Sequence, residues 1–177
     1  GAIVAALLGL AVISALWWLY FDVAAIFVRT RMLQLHGVTQ ARFARDAYSY
    51  LHLPMVMGIV FFAFGLETTL HHVHDALDSF PATALCGGAA LYLLAHVVFL
   101  LRSTGRLFRR RTIGAVVLAA LIPVAHWAPA IAALALVGAV SSSVVAYEAI
   151  RHREHRVQVR HPSSPEPSVS NALIRWR

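Results

Sequence analysis

The sequence holds no lysine, a single cysteine (Cys86) and only eight acidic residues in 177 positions. One thiol excludes an intramolecular disulfide and a cysteine-based zinc cluster. Charged residues make up 13% of the chain, against about 25% in an ordinary soluble domain, while 59% are hydrophobic and the mean hydropathy is +0.69. That balance argues against a water-soluble globule. Also missing are a nucleophile elbow, a phosphate-binding loop, a His-Glu-x-x-His pair and a dinucleotide fingerprint, so no familiar reaction and no cofactor is indicated. The charge present is one-sided: all fifteen basic residues are arginine, giving a net +7 and a pI near 10.7. Such a pI points to nucleic acid only if the arginines share one face of a soluble domain.

They do not. Five apolar runs cover residues 3–28, 47–66, 82–101, 113–127 and 130–150. A bilayer crossing takes about 20 apolar residues; four runs qualify outright, and the fourth, residues 113–127, reads as a hairpin partner to the fifth, which Pro129 initiates. Three consecutive charge-poor runs of this length disfavour a soluble bundle with buried helices. The expectation is an all-α, polytopic integral membrane bundle with five transmembrane helices over residues 1–150. The arginines fall in groups of four, five and six after the first, third and fifth runs, and the alternate connections hold none. The positive-inside rule then places the start of the fragment outside a bacterial inner (plasma) membrane and its end in the cytoplasm. The arginines face anionic lipid headgroups rather than nucleic acid, which is excluded as a partner. Residues 29–45 read as a short interfacial segment broken at Gly37. Residues 151–177, basic and then rich in proline and serine, read as a disordered cytoplasmic tail. The chain opens at Gly1 inside an apolar run, without an initiator methionine or signal features, so a preceding half is expected as a partner, and a second copy of the chain is a further candidate.

Ionisable residues within spans are costly and are read first as functional. Counting from the flanking arginines, Asp22 lies seven residues before Arg29, His52 seven after Arg45 and His96 six before Arg102, all about 9–10 Å in. Helical spacing groups Ser14, Trp18 and Asp22 on one face; Arg45, Tyr48, Ser49 and His52 on another; Gly88, Tyr92 and His96 on a third. Asp22 and His52 therefore make a candidate ion or proton site, with His96 as a third member and Tyr48 as an orienting donor. An interhelical hydrogen bond that only locks the bundle is the competing reading. Asp46 sits where a carboxylate would cap the second span. Beyond Glu67, His71, His72 and His74 with Asp75 and Asp78 offer metal-ligand types at a spacing that fixes no tetrahedral site, so no metal is assigned and a solvated loop is favoured. Ala135, Ala139 and Ser143, four apart, mark a close-packing stripe on the last helix.

The residues Trp17-Trp18-Leu19-Tyr20-Phe21-Asp22, then Asp46-Ala47-Tyr48-Ser49-Tyr50-Leu51-His52-Leu53-Pro54, Gly58 and Gly65-Leu66-Glu67 resemble the bacterial low temperature requirement A family of multi-pass membrane proteins. The likeness is strong over residues 10–75 and looser beyond. It implies a chain corresponding to the C-terminal half of a protein about twice as long, with Trp17, Trp18, Asp22, Asp46, Tyr48, His52, Pro54 and Glu67 as the matching residues. The family is tied by name to growth in the cold and carries no established biochemical activity. Three functions stay open: a transporter-like or ion-coupled protein working through Asp22 and His52; a membrane-embedded enzyme acting on lipid or isoprenoid headgroups; and a non-catalytic membrane factor supporting growth at low temperature. An enzyme is the less favoured class.

Overall fold

The computed structural model describes residues 1–21, 32–105 and 107–160, leaving aside the side chains of Ala47, Tyr48 and residues 151–160. Among these residues the chain is helical, with no strand and a single isolated bridge between Ala76 and Pro129. The helices are α1 (Ala2–Leu19), α2 (Gly37–Arg45), α3 (His52–His71), α4 (Ser79–Thr104), α5 (Arg109–Ala120), α6 (Ile122–Ala125) and α7 (Ala130–Arg160). A π-helical turn, Asp46–Tyr50, joins α2 to α3. The chain divides into two units, Gly1–Val145 and Ala146–Arg177.

Among the described residues four helices are long and apolar enough to cross a membrane: α1, α3, α4 and the Ala130–Ile150 part of α7. The fifth expected span, residues 113–127, is not one of them. Its helix opens on three arginines and stops at Ala120 after 12 residues, and a four-residue helix follows Leu121. Pro123 is the cause, because it has no N–H to bond the carbonyl four residues back and its ring crowds that carbonyl. In the second unit the last helix continues through residues 151–160, which were expected to begin the disordered tail. That stretch contains no proline or glycine, and the helix gives out just before Pro162. Residues 161–177 lie outside the described residues.

α4 is the central helix. Some 72% of its most apolar stretch is buried, against 33% for α1, 28% for α3 and 39% for Ala130–Ile150. The outer helices turn Leu7, Leu10, Val60 and Leu136 outward. An apolar exterior of this extent suits hydrocarbon rather than water.

α3 and α4 meet backbone to backbone. A Cβ added to Gly58 would lie 2.7 Å from the Tyr92 nitrogen and 2.8 Å from the Gly88 oxygen. One added to Gly88 would run into the Phe62 backbone, and one on Gly65 into the backbone of Leu85. α1 rests on α3 where Gly9 faces Leu66, and approaches the last helix where Val12 faces Gly138. On α7 the buried face is Ala133, Leu134, Val137, Ser141 and Val144. The stripe expected to pack, Ala135, Ala139 and Ser143, is not that face: Ala139 and Ser143 are exposed, and the Ser143 hydroxyl donates to its own helix at Ala139 O, 2.6 Å. The seam itself mixes small and larger residues, so size alone does not mark the buried face.

The connection between α3 and α4 clasps the start of α7. Ala130 and Ile131 donate their backbone N–H groups to the carbonyls of Asp75 (2.8 Å) and Val73 (3.1 Å). His126 Nδ1 lies 3.1 Å from Leu77 O. Two of the first-turn donors of α7, which no helix can satisfy internally, thus have partners.

The glycine crossing sets a test. Gly58→Val and Gly88→Val are each expected to destabilise the protein by about 2 kcal/mol or more, while Ala63→Val on the exposed side of the same helix stays within about 0.5 kcal/mol. Thermal unfolding in detergent measures both, and equal melting temperatures across the three variants would refute the crossing.

Candidate functional site

The polar residues of the bundle gather where the end of α1 meets the start of α3 and the middle of α4. Pro54 deprives the Tyr50 carbonyl of its ordinary donor, and the turn before it is widened, with Leu51 N bonding Asp46 O at 3.0 Å. His52 follows as the first residue of α3. It is half-buried, and its Nδ1 is fully buried with no hydrogen-bond partner. α4 supplies Tyr92 and, one turn later, His96, their ring centroids 4.7 Å apart. His96 is wholly buried, and neither ring nitrogen has a hydrogen-bond partner among the described residues. Tyr20, just past α1, presents a T-shaped contact to both imidazoles, 5.6 Å from His52 and 5.7 Å from His96. One phenol ring therefore stands between two histidines from different helices.

Two long-range hydrogen bonds fix this arrangement to α1. The Tyr92 hydroxyl donates to Leu16 O at 2.7 Å, and Nη2 of Arg111 donates to Leu19 O at 3.2 Å. Arg111 is completely buried. A cation set against carbonyls in the last turn of a helix matches the sign of the helix dipole. In front of the cluster a cleft of about 470 Å³ opens between α1, α3 and α4, bordered by Tyr20, His52 and Tyr92 on its polar side. His96 lies behind this wall rather than on it.

Of the residues singled out from the sequence, His52 and His96 are brought together around Tyr20. Asp22 lies outside the described residues, as does the side chain of Tyr48. Trp18 is placed toward the outside of α1. It is 41% exposed on the same outward side as Ser14, while α1 buries Ala15, Leu16 and Leu19. The proposed Arg45, Tyr48, Ser49, His52 face also fails, because the π turn adds a residue and rotates what precedes it; Ser49 and Arg45 are exposed. Asp46 does not cap a helix start, since helical structure begins at Gly37; it pairs with Arg102 of α4 at 3.2 Å and with Arg45 at 3.4 Å. Glu67 sits fifteen residues along α3 from His52, about 22 Å at helical rise, in a separate hollow with His71 and His72. His72 is 3.8 Å from Asp75, and a Cβ on Gly1 would come within 2.9 Å of His74 Nε2. Among the described residues no group of three or more His, Cys, Asp or Glu is placed to hold a metal ion.

Arg111 is the residue that charge counting misplaced, as one more headgroup contact. Its signal was present: it precedes Gly114, Ala115 and Leu118 by three, four and seven positions, the buried face of α5, whereas Arg109 and Arg110 point outward.

The family model of the bacterial low temperature requirement A protein (LtrA) matches residues 1–146 of the 177. The chain belongs to the LtrA family. Every residue of the cluster falls within the matched region. No curated protein and no solved structure matches this LtrA chain, so its site is read from its own geometry.

In this LtrA protein Arg111→Ala is expected to cost about 3 kcal/mol through lost packing and an orphaned carbonyl, and Tyr92→Phe about 1 kcal/mol. Arg109→Ala stays within about 0.5 kcal/mol. Chemical or thermal unfolding in detergent ranks them, and equal effects for the two arginines would return Arg111 to the headgroup reading.

Proposed function

We propose that this LtrA protein is a transporter-like, proton- or ion-coupled membrane protein whose working site is the cluster of His52 and His96, completed by Asp22 as its carboxylate. The supporting observation is the pair of imidazoles on either side of Tyr20, with three buried ring nitrogens that have no hydrogen-bond partner among the described residues. A buried polar atom without a partner costs free energy unless water, an ion or a proton transfer employs it. Imidazole is the side chain whose protonation changes most readily near neutral pH, and ionisable groups at membrane depth commonly line proton or ion paths. Tyr20, whose ring touches both, is placed to hold them in one hydrogen-bonding environment. Asp46 and Glu67 are left outside this mechanism, the first as an ion-pair partner of Arg102 and the second at the far end of α3.

In this reading the arginine-bearing ends face the cytoplasm, which puts the His52 level in the inner leaflet. Anionic headgroups then hold Arg109, which is exposed.

Two measurements test the reading. In proteoliposomes with a trapped pH indicator, the wild type carries proton flux above empty vesicles, and His52→Ala and Asp22→Asn each lower it about tenfold or more, ~1.4 kcal/mol, while Glu67→Gln leaves it unchanged. Normal flux in both site variants, with melting temperatures preserved, removes the assignment. For orientation, a membrane-impermeant maleimide is expected to label Asp75→Cys in intact cells and Arg109→Cys only after permeabilisation; the opposite pattern inverts the topology.

A further inference from the structure

We propose that the cleft between α1, α3 and α4 binds a lipid of the bilayer that carries a planar, uncharged, oxygen-bearing ring on an apolar tail, the chemistry of an isoprenoid quinone. The inference shares His52 with the transport reading and names the class of molecule that reaches this site.

The cleft is graded along its length. α1 and α3 run antiparallel here, since Tyr20 meets His52 at one end and Gly9 faces Leu66 towards the other. The α3 lining runs from His52 to Phe62, ten residues or about 15 Å, and the α1 lining from Ile13 to Phe21, about 12 Å. At one end stand only rings: Trp17 and Phe21 with centroids 4.8 Å apart, Phe21 and Tyr20 at 5.0 Å, Tyr20 and His52 at 5.6 Å. A continuous series of aromatic faces and edges at this spacing selects a flat ring over a bulky tetrahedral headgroup. On α3 the lining beyond His52 is Met55, Val56, Ile59 and Phe62, without a polar side chain, and the Tyr92 hydroxyl at this level is already bonded to Leu16 O.

Charge supplies the second constraint. None of the described residues lining the cleft is Asp, Glu or Arg, and the only titratable groups besides the two tyrosines belong to His52. A phosphate head would meet no cationic side chain among the described lining residues. A carbonyl oxygen on a neutral ring asks for one hydrogen-bond donor, and the imidazole of His52 provides it. The volume of about 470 Å³ falls in the ordinary range for small-molecule sites, about 300–1,000 Å³. Val56, Ile59 and Trp17 are each near half exposed, so the cleft is entered from the side, where lipid lies.

The test uses the full chain in phosphatidylcholine vesicles titrated with decyl-ubiquinone, read by quenching of tryptophan fluorescence. We expect a saturable component that disappears in Trp17→Phe, weakens at least tenfold in His52→Ala and in the double variant Val56→Phe, Ile59→Phe, and is not displaced by decanol. The double variant alters lipid-facing positions only, so its fold is preserved even if His52→Ala disturbs the π turn. Absence of a saturable component, an unchanged component in the double variant, or equal displacement by decanol overturns the proposal, the last by showing a slot for any alkyl chain. Quenching without proton flux sinks the transport reading alone; proton flux without saturable quenching sinks this one alone.

Discussion

The arrangement depends on the glycine-lined crossing of α3 and α4. Because Gly58, Gly65 and Gly88 lack side chains, two long helices touch at their backbones, and the Gly58 position abuts the Tyr92 nitrogen itself. In a bilayer, where apolar side chains gain little by leaving lipid for protein, such close approach is the main source of helix association. The same contact sets where the site forms. His52 lies six residues before Gly58 on one helix, and Tyr92 and His96 lie four and eight residues after Gly88 on the other. A crossing with larger residues would separate the histidines along with the backbones.

Once α4 is placed, the polar groups it carries need partners that lipid cannot provide. Tyr92 finds its partner in a carbonyl of α1, 76 residues away in sequence, and Arg111 of the following helix, α5, finds one there too, 92 residues away. These bonds tie α1, which has modest burial of its own, to the helices that follow. His96 is treated differently: it is as deeply buried and yet has no such partner. Within one turn of α4, then, one polar side chain serves architecture and the next is left available for chemistry.

Much of this was legible in the sequence, through two kinds of signal. Length and hydropathy located α1, α3, α4 and the apolar part of α7, because a bilayer leaves a helix few alternatives over 20 apolar residues. Depth counted from flanking arginines grouped His52 with His96, since the π turn between Arg45 and His52 rotates faces while still advancing along the helix axis. What failed were inferences about faces. A helix surrounded by lipid on one side and protein on the other has little polar contrast, so the polar spacing of Ser14 and Trp18 and the small-residue spacing of Ala139 and Ser143 said nothing about which side is buried. The π turn at Asp46–Tyr50 shifted every face upstream of His52, and hydropathy carries no mark of an added residue in a turn. The break at Leu121 was masked by continuous apolarity across a proline. Arg111 was assigned by its charge, although its spacing to Gly114 and Leu118 held the better information.

The clasp between the α3–α4 connection and the first turn of α7 bears on how the family's members can vary. Because the carbonyls of Val73 and Asp75 hold the N–H groups of Ile131 and Ala130, that connection is a fitted part whose length is dictated by a helix it precedes by some fifty residues. An inserted or deleted residue there would pull two donors away from their acceptors at once. Among relatives of this chain, changes of length should therefore collect in the arginine-bearing segments at the other end of the bundle, and the histidine-bearing connection should keep its residue count while its side chains drift.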